Sequence, residues 1–154
     1  MPGIDIGLVT PQANALANGS TWISGDNPAN QSGTITSVSF LVSDLVSGLV
    51  IIILQKITGD TFTARSYHSL GDKATGLHED VEVSLAVVTG DYIAYYYTGG
   101  NMTGSYSGYS GAWTKSGDYK EADEVAFTPL AGWGLSIAGV GAGAGGGQRA
   151  LIIG

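Results

Sequence analysis

Tyr106, Tyr109 and Trp113 are the side chains in this sequence best suited to holding a ligand. They fall within Gly99 to Ser116, a stretch rich in Gly, Ser and Tyr that shows no helical or strand period. Structureless stretches above about 12 to 15 residues are commonly functional or ordered by a partner. Aromatic rings flanked by Asn, Asp and Ser combine apolar area with a polar handle, which suits stacking on a sugar ring or a wet protein contact. Seven of the eight tyrosines lie between Tyr92 and Tyr119, and Tyr92 with Tyr95, Tyr96 and Tyr97 belong to a strand pattern. Tyr106, Tyr109 and Trp113 remain as candidates for a surface glycan, a receptor or a neighbouring subunit.

Other chemistry has few carriers. Asp118, Glu121, Asp123 and Glu124 form the densest acidic cluster, but their spacing is not that of an EF-hand. A carboxylate pair serves glycoside hydrolysis only at a defined separation, which spacing in sequence does not supply. With Lys115 and Lys120 beside it, the cluster reads as a solvated acidic turn. His68 and His78 are the only histidines, ten residues apart across a loop signal, and they read as packing or solvated side chains rather than metal ligands. Gly141-x-Gly143-x-x-Gly146 matches the dinucleotide fingerprint formally. Only eight residues follow it, too few for the helix that would hold a pyrophosphate. There are no cysteines, which removes thiolate chemistry and disulfides. The expectation is a protein that is not an enzyme and uses no cofactor and no metal.

The composition points the same way. At 154 residues the chain is the size of one domain with a core of its own. Charged residues make up 12% against an ordinary fraction of roughly 25%, while apolar residues stand at 44% and there are 25 glycines. Such a surface must be largely Ser, Thr, Asn, Gly and Tyr, which suits a chain that meets other subunits. A net charge of −7 with six scattered Lys and Arg residues offers no phosphate-neutralising groove, so nucleic acid is not an expected partner. No apolar run approaches the roughly 20 residues that span a bilayer, so membrane insertion is not expected. Met-Pro-Gly-Ile-Asp-Ile-Gly at the start shows no secretion signal. Asn18, Asn30 and Asn101 sit in Asn-x-Ser/Thr triplets that chance explains in so polar a chain.

The elements that must position these residues are strands. In Glu79 to Tyr97, Val81, Val83, Leu85 and Val87 share one parity, and Tyr92 to Tyr97 follow a Gly90-Asp91 turn signal, which predicts a central hairpin. Val38, Phe40 and Val42 predict a half-buried strand, and Gly48 to Ile57 an interior strand covered on both faces. Phe62 to Ser69, Asp123 to Thr128 and Trp133 to Val140 complete the series, with a loop expected at Gly71 to Gly76. Gly-Asp occurs five times, at Gly25, Gly59, Gly71, Gly90 and Gly117, mostly as turns.

Residues 1–31 read as an N-terminal arm with one short helix started by Thr10-Pro11 and stopped by Gly19. Residues 32–140 read as the β domain, and 141–154 as a Gly-rich assembly tail in which Leu151, Ile152 and Ile153 dock as a strand on this sheet or a neighbour's.

Gly90-Asp-Tyr-Ile-Ala-Tyr-Tyr96, Ser107-Gly-Tyr-Ser-Gly-Ala-Trp113 and Ser116-Gly-Asp118 give the chain, from Thr34 to Val140, a resemblance to β-sandwich domains of tailed-phage virion proteins. The resemblance implies an all-β antiparallel sandwich of jelly-roll type with about eight strands. It also implies a non-enzymatic role as a capsid decoration or fibre subunit, assembled in the host cytoplasm as a homo-oligomer with other virion proteins. A carbohydrate- or receptor-binding module using the aromatic stretch is the alternative.

Overall fold

One strand of 26 residues, β4 (Gly33–Thr58), carries the architecture of the computed structural model, which describes residues 3–9 and 14–143. Three strands precede it, β1 (Ile4–Leu8), β2 (Asn14–Leu16) and β3 (Ser20–Ser24). It is followed by β5 (Thr61–Lys73), β6 (Gly76–Val87), β7 (Tyr92–Tyr96), β8 (Gly99–Ser105) and β9 (Ala112–Ser116). The short β10 (Val125–Ala126), β11 (Thr128–Leu130) and β12 (Gly134–Leu135) lead to β13 (Ile137–Gly143). The fold is all-β and the pairings are antiparallel.

β4 belongs to two sets of ladders. Its first half pairs with β6 on one edge and with β13 and β8 on the other. Its second half pairs with β5 and β7. Register shifts gather between Val42 and Val50, where Gly48 takes a φ of +63°, so the strand changes direction there. The first set runs β1-β13-β4 with β6 beyond, and the second runs β4-β7-β3-β9-β11 with β5 on the far side.

The side-chain period explains the burial. In the first set, Ile6, Gly139, Val38 and Val81 stand in one row facing the core, and Asp5, Val140, Ser37 and Glu82 in the next row facing out. Ile35, Phe40, Leu85 and Ile137 from this set share one hydrophobic cluster with Trp22, Ile51, Ile53 and Tyr95 from the other. Leu49 to Leu54 are buried on both parities. Ile51 and Ile53 join that cluster, while Val50, Ile52 and Leu54 join a second one with Ile23, Ala94, Phe62 and Phe127. Each fully buried aliphatic or aromatic chain contributes about 1.5 to 3 kcal/mol. The prediction of a strand covered on both sides therefore holds for Leu49 to Leu54, although Gln55 to Thr58 are exposed.

Several expectations are corrected. Thirteen strands are present among the described residues rather than about eight, because β2, β10, β11 and β12 have only two or three residues each and leave no periodic signal. β6 and β7 are not a hairpin, since both pair with β4, on its opposite halves. The Gly90-Asp91 turn between them bonds instead to Ala29, whose N–H donates to Asp91 O while Gly90 N donates to Ala29 O. The arm expected over residues 1–31 contributes three paired strands, with β3 lying between β7 and β9. Where the short helix was expected, Asn14–Leu16 forms β2 against Met102–Gly104, burying Leu16. Eight residues of helix hold little stability of their own, so tertiary pairing prevails. Gly99 to Ser116 is mostly strand, with only residues 106–111 irregular. The Gly71–Gly76 loop shrinks to the two residues between β5 and β6.

Candidate functional site

The Gly59-Asp60 turn closes β4 onto β5 in two residues, with Gly59 at a φ of +52° and Thr58 opposite Thr61. It presents Asp60 beside β9, where Asp60 Oδ1 accepts a 2.8 Å hydrogen bond from Trp113 Nε1. Trp113 lies in a register row with Pro129 of β11 and Ile23 of β3, on the face of the second cluster. Phe62 and Tyr92 meet its ring edge-on at centroid distances of 4.9 and 5.4 Å. Lys56 Nζ stands 5.1 Å from the ring centroid. The indole is thus fixed on several sides.

Beside it lies an open cleft of about 160 Å³ lined by Asp60, the Ser110–Trp113 backbone turn into β9, and Pro129–Ala131 of the β11 edge. Its walls are pinned by the backbone. Gly25 N donates to Gly111 O, Gly111 N donates to Trp133 O, and Ser110 N donates to Asp26 Oδ1. Asp26 is itself buried. The cleft is apolar along Ala112, Trp113, Pro129, Leu130 and Ala131, with polar groups at Asp60 and Ser110.

Tyr106, Tyr109 and Trp113 do not form one platform. Tyr106 tilts against Trp133 at 4.5 Å, Trp133 stacks on the buried Trp22 at 5.9 Å, and the Tyr106 hydroxyl donates to Ala15 O. Tyr106 remains 49% exposed at the outer end of this three-ring stack. Tyr109 packs over Gly134, where a Cβ would come within 2.5 Å of its ring. Only Trp113 lines the cleft. Leu151, Ile152 and Ile153 lie outside the described residues. Asp60, Leu130 and Trp133 were not singled out in the sequence. Gly59-Asp60 signalled only a turn, and nothing local marks it as reaching a tryptophan 53 positions away.

Both histidines and Asp118 of the acidic cluster have structural partners. His68 Nδ1 accepts from Ser84 N, and His78 stacks on Phe40 with Nε2 2.7 Å from Ala74 O. Asp118 bonds Lys120 through both its backbone N–H and Nζ. No group of three or more metal-ligating side chains gathers among the described residues. The side-chain amides of Asn18, Asn30 and Asn101 donate to backbone carbonyls of Gly100, Gly3 and Leu16.

No protein-family model, curated protein or solved structure matches the chain.

Proposed function

We propose that the chain is a non-enzymatic structural protein of virion type, a capsid decoration or fibre subunit that assembles with copies of itself, and that its two ladder sets are the layers of a jelly-roll-type β-sandwich. The layered reading is supported by the shared hydrophobic cluster and by Ile93 of β7, whose methyl groups reach the backbone of Gly7 and Gly139 in the other set. The observation that carries the assembly reading is the outer face of β1, β13, β4 and β6. It presents Thr34, Thr36, Ser37, Ala138 and an exposed Val140, with Asp5 and Glu82 as charges in its central row. These strand segments hold no Lys or Arg. Interface cores are depleted of Lys, Glu and Asp, so the absence of Lys favours this face, while Asp5 and Glu82 add a desolvation cost. The tail residues Leu151, Ile152 and Ile153 are proposed as the second assembly element. Sedimentation of the purified chain over a range of concentrations tests this reading. Self-association that weakens on deleting residues 144–154 or in Val140→Lys is expected, and a chain that stays monomeric throughout, with neither change affecting its attachment to particles, overturns it.

A second reading, a surface-recognition module, is favoured by the cleft beside Trp113. Its test is whether any small solute perturbs the Ser110–Trp113 amides.

A further inference from the structure

We infer that the cleft between the Asp60 turn, Trp113 and the β11 edge binds one neutral pyranose ring, with Trp113 as its apolar wall and Asp60 as its hydrogen-bond acceptor. This rests on the recognition reading and not on the assembly reading. It moves the ligand site from Tyr106 and Tyr109 to Trp113 and to Asp60, which lies 53 positions before it in sequence.

Size sets the first constraint. Sites for drug-sized ligands begin at about 300 Å³, and this cleft of about 160 Å³ holds a single ring. Chemistry sets the second. A pyranose pairs an apolar C–H face with equatorial hydroxyl donors, and the cleft pairs an apolar wall with a carboxylate. Asp60 Oδ1 is occupied by the indole N–H, while Oδ2 takes no hydrogen bond from any described residue, so it is available to a ligand hydroxyl. Charge-assisted hydrogen bonds of this kind are roughly twice as strong as neutral ones.

Charge sets the third constraint. An anionic ligand is repelled by Asp60. A cationic one is drawn by Asp60 but opposed by Lys56 Nζ, 5.1 Å from the indole centroid, so the two opposite charges leave the site little net preference for an ion. A neutral polyol meets neither obstacle. The rigid walls add to affinity, because Ser110 and Gly111 are held by Asp26, Gly25 and Trp133 before any ligand arrives.

The test is an amide and indole N–H chemical-shift titration of the full chain with the methyl pyranosides of glucose, galactose, mannose and N-acetylglucosamine, to about 20 mM because single rings bind near the millimolar range. At least one is expected to shift Ser110 to Trp113 and the Trp113 indole N–H. Asp60→Asn retains a carbonyl oxygen for the indole but replaces the second acceptor with a donor, and is expected to weaken binding by roughly tenfold. Tyr106→Ala is expected to leave binding within about twofold, as residues without contact add little. Binding that is unchanged in Asp60→Asn, or shifts confined to Tyr106 and Trp133, overturns the inference. Benzyl alcohol serves as the apolar control. Shifts at Ser110 to Trp113 with benzyl alcohol and with no pyranoside overturn the sugar and leave the recognition reading standing. Silence with both overturns both.

Discussion

Arg65 holds Asp91 by both carboxylate oxygens, with Nε donating to Oδ2 at 2.5 Å and Nη2 to Oδ1 at 3.1 Å. Ala64 of β5 and Tyr92 of β7 both stand opposite Leu54, so the pair joins the two strands that flank the second half of β4. Asp91 Oδ2 also accepts the Val88 N–H, and the Asp91 side chain is only 3% exposed. Removing one partner of a buried, hydrogen-bonded pair costs about 3 to 5 kcal/mol. Asp91→Ala is therefore expected to lower the thermal midpoint by on the order of 10 °C, at the 2 to 4 °C per kcal/mol of chains this size. Lys120→Ala breaks the more exposed pair with Asp118 and is expected to cost less than about 1 kcal/mol. Equal midpoints for the two variants would refute the assignment of Asp91 as the joint of this end of the fold.

Tyr95 and Tyr97 are fully buried in the shared cluster but differ in their hydroxyls. Tyr97 Oη donates to Leu16 O at 2.6 Å and accepts from Met102 N, whereas the Tyr95 hydroxyl has no partner among the described residues. Tyr95→Phe removes an unsatisfied polar atom and is expected to be neutral or stabilising by about 1 kcal/mol, while Tyr97→Phe orphans the Met102 N–H and is expected to cost about 1 to 3 kcal/mol. Chemical denaturation of the two variants separates these outcomes, and a loss in Tyr95→Phe equal to that in Tyr97→Phe would contradict the bonding described.

The same burial sets the alkaline limit. Loss of hydration pushes the Tyr97 phenol up to about 12, partly offset by the Met102 N–H, and burial also raises Tyr95. In the unfolded chain a tyrosine ionises near pH 10. The folded state therefore binds the proton more tightly, so this contribution is fully present below pH 10 and is lost as pH rises from 10 through about 12. For Tyr97 the loss amounts to about 2 to 3 kcal/mol. Denaturant midpoints measured between pH 9 and 12 are expected to fall across that window and to fall less in Tyr97→Phe.

How much of this was legible follows from where the signal resides. Val38, Phe40 and Val42, or Val83, Leu85 and Val87, alternate because one face of each is buried, and that period is visible in sequence. Gly104 is invisible to the same reasoning. Its missing side chain admits Gly134 O and the Leu16 methyls, so a buried strand reads as loop. Trp113 was recognisable as a candidate by type, but its partners were not. Asp60, Pro129 and Leu130 reach it through a turn and an edge strand whose pairing depends on the whole β4 path. Partner choice for β6 and β7 was equally hidden, because a Gly-Asp turn signals a change of direction and not which strand receives the chain.

Gly19 and Gly100 share nearly the same backbone, with φ of +80° and +77°, but differ in what surrounds them. A Cβ on Gly19 meets nothing within 4 Å, whereas one on Gly100 would lie 1.9 Å from Leu45 O and 2.6 Å from Leu45 C, both backbone atoms that no rotamer change can clear. Alanine at either site carries the left-handed penalty of roughly 1 to 2 kcal/mol. At Gly100 it must also push β8 away from the β4 bend, where Asp44 pairs with Asn101 and Ser47 with Gly99. Overpacking adds about 1 to 3 kcal/mol or more. Gly19→Ala is expected to fold with a loss of about 1 kcal/mol, and Gly100→Ala to lose at least about 2 kcal/mol beyond that. Urea denaturation of the two variants checks the difference. Equal losses would mean that β8 does not approach the bend at Asp44 and Leu45 as closely as described.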